Sequence, residues 1–119
     1  MVKEANLLLD NILKNLSQSK AIKIINIDLD GKSEQADNMI VASGTSNRHV
    51  ASIAEKLIFT IKKDLVIPIK TEGMNNSDWV LIDCGDIIVH VFREEVRDFY
   101  QLERLWQRNP SILPDVENA

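Results

Sequence analysis

The first part of the chain changes from helical to extended spacing of its apolar residues. From residue 3 to residue 18, leucine and isoleucine recur every three or four positions with polar residues opposite, which predicts an amphipathic helix. Residues 21 to 29 are rich in isoleucine and end at the turn pair Asp30-Gly31, which predicts a strand. After a polar connection, residues 38 to 43 predict a second, shorter strand.

A second helical pattern begins after Gly44-Thr45-Ser46 and extends to about residue 65. A serine or threonine of this triplet is available as the N-cap, which is the usual way to satisfy the first N–H groups of a helix. Residues 67 to 72 then predict a strand. Pro68 confines this strand to a sheet edge or to its own first residues, because proline has no N–H to donate to a neighbouring strand.

The last third of the chain predicts a hairpin followed by a helix. Two apolar runs, residues 80 to 83 and 87 to 92, flank Cys84-Gly85, and a tight turn containing glycine between two such runs is a strong hairpin signal. A final helix is predicted from about residue 93 to residue 107. Asn109-Pro110 ends it, since the residue before a proline disfavours helical geometry.

The predicted order α-β-β-α-β-β-β-α indicates an α/β fold with a mixed sheet of about five strands flanked by helices. The sheet is expected to be mixed because the hairpin is antiparallel while the long helix forms a crossover. A chain of 119 residues is long enough for one domain, which we place at residues 1 to 110. Residues 111 to 119 predict a flexible tail.

Composition narrows the classes of function. A net charge of -4 and a pI near 5.1 argue against direct nucleic-acid binding, because phosphate neutralisation requires an excess of lysine and arginine. A ribonucleoprotein partner would therefore be met through a basic protein, with little direct nucleic-acid contact. No apolar run approaches the length of a membrane span, and the N-terminal segment lacks a small-residue cleavage site, so we expect a cytoplasmic protein without membrane contact.

Metal and cofactor sites are also not expected. Cys84 is the only cysteine, which excludes an internal disulfide, and His49 and His90 are too few to complete a zinc site with it. Asp28 and Asp30, spaced by one residue at a strand end, could share a divalent metal. The simpler interpretation is that Asp30 builds a turn with the following glycine.

Two further groups of residues have a catalytic and a structural interpretation. Gly44 to Arg48, with His49 in the first helical turn, could cradle a phosphate, but the segment lacks the Walker lysine spacing and ordinary capping is the simpler interpretation. His90 would need a nucleophile or an orienting carboxylate for catalysis. Asp83 could orient it across the hairpin and Cys84 is the nearby nucleophile, but a hydrogen-bonded structural histidine is favoured.

The segment from Asp78 to Trp106 concentrates the large aromatic side chains. It holds both tryptophans, the only tyrosine and two of the three phenylalanines, and such rigid side chains beside fixed charges are typical of binding surfaces. Strand alternation places Trp79 and Asp83 on one face and assigns Val80, Ile82, Val89 and Val91 to the core. A carboxylate beside an aromatic ring favours a contact that accepts arginine or lysine.

An ordered set of short motifs extends over roughly residues 5 to 107. In chain order these are Ile40 to Ser46, Arg48-His49-Val50, Lys70 to Gly73, Trp79 to Asp83, Gly85 to Phe92, Arg97, Phe99-Tyr100, Leu102-Glu103 and Leu105-Trp106. Together they closely resemble the ribosomal silencing factor family (RsfS, Iojap). The resemblance implies a protein that is not an enzyme, binds the large ribosomal subunit through ribosomal protein number fourteen, blocks joining of the small subunit and so represses translation when nutrients are short.

The resemblance also implies a fold similar to nucleotidyltransferases and a possible homodimer of the free protein. The partner-binding residues that we expect are Trp79, Asp83 and Tyr100 at the contact, Lys70 and Glu72 at its rim, and Arg97 and Glu103 as positioning groups. The alternative function is a nucleotide-binding or nucleotidyl-transfer enzyme that uses Gly44 to Arg48 with Asp28 and Asp30. It is disfavoured because no Asp-x-Asp pair follows the Gly44-Thr45-Ser46 segment, and two carboxylates would be needed to hold Mg²⁺ at the phosphates.

Overall fold

A computed structural model of the chain describes residues 4–29 and 36–96. Its helices are α1 (Glu4–Gln18) and α2 (Asn47–Asp64), and its strands are β1 (Ile22–Asp28), β2 (Asn38–Gly44), β3 (Lys70–Glu72), β4 (Trp79–Asp83) and β5 (Ile87–Arg93). Residues 94–96 are helical, where the last predicted helix begins. The remainder of that helix and the predicted tail at residues 111 to 119 lie outside the described residues, as does Asp30.

The five strands form one mixed sheet in the order β1-β2-β5-β4-β3, which confirms the predicted α/β fold. β2 and β5 pair in parallel at the centre, and the other three pairings are antiparallel. After β2 the chain follows α2 to β3 at the far edge, and the β4–β5 hairpin then returns it to the centre. The predicted strand at residues 67 to 72 is shorter than expected, because it begins at Lys70, after Pro68. It lies at the sheet edge, one of the two positions that the proline allowed.

Both described helices pack on the same face of the sheet. The buried helical side chains are Leu8, Ile12 and Leu16 of α1 and Val50, Ile53, Ala54, Leu57 and Ile61 of α2. They form one aliphatic cluster with the strand residues of that face, including Val80, Ile82, Val89 and Val91, which are all fully buried. The assignment of these four residues to the core from strand alternation is confirmed.

A second cluster lies on the opposite face of the sheet. Its buried members are Ile27, Leu29, Ala36, Met39, Val41, Ile88 and Phe92, with Trp79, Leu81 and Val96 packed against them. Because successive strand residues point to opposite faces, the same strands supply both clusters. The two clusters divide the molecule into a helix-covered side and a side where aromatic and charged residues collect.

The segment before α2, residues 44 to 46, makes close contacts with the first turn of this helix. Ser46 is the N-cap of α2, and its side chain accepts a hydrogen bond from the His49 N–H at 3.1 Å. A Cβ atom added to Gly44 would lie 2.9 Å from Val50 Cγ2, so glycine is required where β2 passes the helix. The predicted capping role of this segment is confirmed.

Candidate functional site

Strand register brings four of the predicted contact residues to one surface. We call it the aromatic face: the side of β3, β4 and β5 opposite α1 and α2, formed by Lys70, Glu72, Trp79, Leu81, Asp83, Ile88, His90 and Phe92. The cross-strand pairs are Lys70 with Asp83, Glu72 with Leu81, Leu81 with His90, and Trp79 with Phe92. Residues directly opposite each other in an antiparallel pair project to the same face. Lys70 and Glu72 are exposed, and Trp79 and Asp83 are half-buried.

Trp79 is held in place by two aromatic neighbours on β5. Its indole Nε1–H donates a hydrogen bond to His90 Nδ1 at 2.9 Å. Its ring stacks on Phe92, with the two ring centroids 4.8 Å apart and the planes 25° from parallel. Offset stacking of this kind adds stabilisation beyond the buried area, so the ring has a defined orientation before any partner binds.

His90 is a structural histidine, as the sequence favoured. Its side chain is 1% exposed, and burial lowers its pKa to about 3 because the charged imidazolium cannot be solvated there. Since Nδ1 accepts the hydrogen bond from Trp79, the ring proton is on Nε2, and this nitrogen has no partner among the residues the structure describes. A neutral ring hydrogen-bonded to an indole is not arranged for proton transfer to a nucleophile.

Asp83 belongs to the hairpin turn rather than to His90. Its Oδ1 accepts a hydrogen bond from the Gly85 N–H at 2.8 Å, and Gly85 adopts a left-handed φ of 87° that favours glycine. In the strand register Asp83 is opposite Ile88, two residues from His90 along β5. The hypothesis that Asp83 orients His90 is therefore wrong, because the turn holds this carboxylate.

Cys84 is an inert thiol. It is 2% exposed, and burial, with a smaller contribution from the charge of Asp83, raises its pKa to about 12. A thiol that stays protonated at neutral pH is neither a nucleophile nor a metal ligand. This agrees with the interpretation of Cys84 as a small buried residue.

One anchoring cluster beside the aromatic face was not predicted from the sequence. Asp78 Oδ1 accepts hydrogen bonds from Arg93 Nε at 3.0 Å and from Asn47 Nδ2 at 2.6 Å, and Arg93 also pairs with Glu95 at 3.0 Å. These bonds tie the start of β4 to the end of β5 and to the first turn of α2. The hairpin register would have predicted this cluster. Because Trp79 is opposite Phe92, their neighbours Asp78 and Arg93 are also adjacent across the hairpin.

Two parts of the alternative enzyme site, Asp28 and Gly44, do not come together, and its third part, Asp30, lies outside the described residues. In the antiparallel β1–β2 pair Asp28 is opposite Asn38, at the other end of β2 from Gly44. The six residue steps of extended strand from Asn38 to Gly44 separate the two ends by about 20 Å. Within residues 4–29 and 36–96 no group of three or more histidine, cysteine, aspartate or glutamate side chains could hold a metal ion.

His49 also has a structural position. Its Nδ1 accepts a hydrogen bond from the Thr45 N–H at 3.0 Å, and its Nε2 lies 3.0 Å from the Ser19 carbonyl oxygen. The ring therefore links the entry of α2 to the segment after α1, which accounts for a histidine in the first turn of the helix. The other predicted positioning and contact residues, Arg97, Tyr100 and Glu103, lie outside the described residues.

Comparisons with known proteins point to one family. The model described as "ribosomal silencing factor during starvation" (RsfS) matches residues 2–119. A ribosomal silencing factor RsfS of Zymomonas mobilis is 47% identical over 103 residues, which cover 87% of this chain and 77% of that protein. A crystal structure of a Chromobacterium violaceum protein has a TM-score of 0.83 at 32% identity, covering 95% of this chain and 92% of that one.

A more distant relative is named for a ribosomal role in another compartment. The Mus musculus protein named mitochondrial assembly of ribosomal large subunit protein 1 is 32% identical over 101 residues, which cover 82% of this chain and 44% of the mouse protein.

Among the described residues of this chain, no helix is long and apolar enough to cross a membrane.

The fold and the aromatic face define a small mixed α/β protein whose described residues place a half-buried tryptophan against buried His90 and Phe92 and form no assembled catalytic or metal centre. The chain belongs to the ribosomal silencing factor (RsfS) family. The resemblance drawn from the ordered motifs is thus confirmed. The family is one of silencing factors and not of known enzymes.

Proposed function

We propose that this protein binds the large ribosomal subunit through ribosomal protein number fourteen and blocks joining of the small subunit. The observation that carries the proposal is the aromatic face, where a pre-oriented tryptophan lies beside the strand that carries the exposed charges Lys70 and Glu72, on a member of the silencing factor family. A rigid aromatic ring gives contact area without losing much side-chain entropy on binding. The mouse relative, named for large-subunit assembly, supports the large subunit as the partner.

Charge supports a basic protein as the direct contact. The chain has a net charge of -4, and Glu72 and Asp83 place carboxylates on the same face as Trp79. Opposite potentials on two surfaces increase the association rate and disfavour wrong partners. Lys70 contributes one positive charge against these two carboxylates, so the face remains net negative. This disfavours ribosomal RNA, and the proposed contact is therefore a protein and not a nucleic acid.

The proposed action is steric and requires no chemistry. A domain bound at the intersubunit side of the large subunit would occupy space that the small subunit needs, and translation would be repressed while it stays bound. In the free protein, the half-buried Trp79 and Leu81 leave apolar area that a second copy could cover, so we include a homodimer of the unbound form in the proposal. Ribosome binding implies a cytoplasmic location.

A charge reversal tests the proposed surface without disturbing the core. Glu72 is exposed on β3, so Glu72→Lys should leave the circular dichroism spectrum and the unfolding midpoint unchanged and weaken co-sedimentation with large subunits roughly tenfold. The matched control is Glu55→Lys, an equal charge change at an exposed position of α2 on the other side of the sheet. Equal effects of both variants would contradict the assignment of the aromatic face.

The blocking action needs a separate measurement. Light scattering reports the joining of purified small and large subunits, and the wild-type protein should slow or prevent it. Glu72→Lys should restore joining at protein concentrations where Glu55→Lys still blocks it. If the protein binds large subunits and joining proceeds normally, the steric mechanism is wrong even though the binding surface is right.

A further inference from the structure

The outward side of α2 concentrates positive charge. The buried residues of this helix face the sheet, and six exposed residues recur at helical spacing on the side away from it. Four of the six are cations and one is a carboxylate, which gives the set a net charge of +3. We call it the basic stripe, and it consists of Arg48, Glu55, Lys56, Phe59, Lys62 and Lys63.

The charge of the whole chain is an average over two unlike sides. The chain has a net charge of -4, so the residues outside the basic stripe together carry -7. An evenly charged acidic protein would repel phosphates, but phosphate binding requires lysine and arginine only on the face that meets them. The basic stripe lies on the opposite side of the sheet from the aromatic face, so it stays accessible when a protein occupies that face.

The position of Arg48 is not explained by the stability of the helix. Arg48 lies in the first turn of α2, which contains no acidic residue, and a cation there is disfavoured by the positive end of the helix dipole. The same dipole favours Lys62 and Lys63 in the last turn. Among the residues the structure describes, none of the four cations of the stripe forms an ion pair. An external anion would account for the position of Arg48.

An exposed aromatic ring lies among these cations. Phe59 is 66% exposed, and Nζ of Lys63 lies 5.8 Å from the centre of its ring. Beside it, between α1 and α2, is a groove of about 570 Å³ whose lining includes Lys56, Phe59, Asn15 and Gln18. Unpaired bases stack on aromatic side chains while neighbouring lysines hold the phosphates. A basic face that served only solubility would not need an exposed phenylalanine at its centre.

We infer that the basic stripe is a second contact surface, which binds the phosphate backbone of a single-stranded segment of ribosomal RNA and places an unpaired base against Phe59. The inference goes beyond the proposed protein contact, and it rests on the proposed function only for the ribosome as the source of the RNA. Binding of RNA by the isolated protein is a separate property that can be measured without ribosomes.

The salt dependence of RNA binding tests the phosphate contacts. Fluorescence anisotropy of a labelled oligouridylate with the full chain should give a slope of log affinity against log salt of about -3, because each of four cations releases about 0.7 counterion from a single strand. Lys56→Gln should weaken binding about fivefold at low salt and make the slope shallower by about 0.7. Its circular dichroism spectrum should be that of the wild type, because Lys56 is exposed.

The matched control for the lost charge is Lys70→Gln. Lys70 is exposed on β3, on the opposite side of the sheet, so this variant should leave both the affinity for oligouridylate and the slope unchanged. Equal weakening by Lys56→Gln and Lys70→Gln would show that only the net charge of the protein matters and would overturn the inference.

A substitution in the opposite direction checks the sign of the effect. Glu55 is the only carboxylate of the basic stripe, so Glu55→Gln should strengthen binding of oligouridylate about fivefold. Weaker or unchanged binding by this variant would contradict a phosphate contact along the stripe.

The aromatic part of the contact has its own probe. Phe59→Leu should weaken binding of oligouridylate about tenfold, the effect of losing one stacked base, and should leave binding of heparin, a polyanion without bases, unchanged. An equal loss for both polyanions would overturn the placement of a base on Phe59.

An anionic membrane is the competing partner for a basic helix with an exposed phenylalanine. Vesicles of phosphatidylglycerol at the same phosphate concentration should capture the isolated protein at least threefold less than oligouridylate does. Stronger capture by the vesicles would assign the stripe to a lipid surface and overturn the inference.

Large subunits show whether the RNA is ribosomal. Lys56→Gln should weaken co-sedimentation about threefold, and its difference from the wild type should shrink as the salt concentration is raised. Weakened oligouridylate binding together with wild-type co-sedimentation would overturn the ribosomal assignment and leave the aromatic face unaffected. Weakened co-sedimentation of Lys56→Gln together with normal co-sedimentation of Glu72→Lys would instead place the fault in the proposed function.

Discussion

The two faces of the central sheet are built from alternate residues of the same strands, yet their chemistry differs. Under α1 and α2 the sheet contributes aliphatic side chains that are fully buried. On the aromatic face the same β4 and β5 strands present two aromatic rings, a histidine and a carboxylate. The difference teaches that one side is an aliphatic core under the helices, whereas the other, which we propose as the recognition surface, has half-buried Trp79 and Leu81 packed against a buried cluster. It also indicates that substitutions on the two sides should have separable effects.

The largest expected effect is a loss of stability on the helix-covered side. Leu57 is fully buried in α2, so Leu57→Ala should lower the free energy of unfolding by about 3 kcal/mol, measured by urea denaturation. The same substitution at the half-buried Leu81 of the aromatic face should lower it by about 1 kcal/mol, because less area is removed from the interior. Equal losses of stability at Leu57 and Leu81 would contradict the claim that the two faces of the sheet contribute differently to stability.

A smaller effect, for each unit of pH, should appear on the aromatic face when the pH is lowered. The pKa of His90 is about 3 in the folded protein against 6.5 when exposed, so the unfolded state binds the additional proton. The stabilising contribution of the neutral ring is complete above pH 6.5 and decreases as the pH falls toward 3, by roughly 1 kcal/mol per pH unit.

The control for this pH dependence is His90→Asn, which has no imidazole to protonate. Its free energy of unfolding should change less between pH 6.5 and pH 4 than that of the wild type, as measured by urea denaturation at a series of pH values. If the wild type and the variant follow the same acid dependence, His90 is not the group that destabilises the aromatic face in acid.

The smallest predicted effect lies outside both faces. Val66, which follows α2, is 79% exposed and has a left-handed φ of 53°, an unfavourable conformation for a β-branched residue. Val66→Gly should raise the free energy of unfolding by roughly 0.5 to 1 kcal/mol, the strain relieved less the greater entropy of glycine in the unfolded chain. Binding to large subunits should not change.

Gly85→Ala, in the turn between β4 and β5, is the opposite substitution and serves as the control for Val66→Gly. Gly85 has a left-handed φ of 87° and open space where a Cβ would be, so alanine introduces strain without a clash. Gly85→Ala should lower the free energy of unfolding by about as much as Val66→Gly raises it, measured for both variants by thermal denaturation. A loss of stability in both variants would mean that backbone conformation does not decide the outcome at these two positions.

Local patterns predicted the elements and the two faces, because strand alternation and helical periodicity depend only on neighbouring residues. Val80 and Val89 were assigned to the core in this way, and the N-cap was expected at a serine or threonine of Gly44-Thr45-Ser46, where Ser46 provides it. The parallel pairing of β2 with β5 could not be predicted with the same certainty, since it depends on packing between distant segments.

The candidate site was predicted only in part for the same reason. The sequence grouped Trp79 with Asp83 on one strand face, but the hydrogen bond from Trp79 to His90 requires the exact register of the hairpin. The role of Asp83 in its own turn was missed, although an aspartate two residues before a glycine N–H is a common local motif. The separation of Asp28 from Gly44 likewise follows from strand direction and not from either motif.

The position of β5 has a consequence for how the molecule is made. β5 is the last strand within the part of the chain that the structure describes, and it lies in the middle of the sheet between β2 and β4. During synthesis the β1–β2 pair can form early, but its inner edge must wait for Ile87–Arg93 to emerge. A nascent chain therefore cannot assemble the aromatic face until Ile87–Arg93 has been synthesised and has emerged, whatever part of the sheet has already formed.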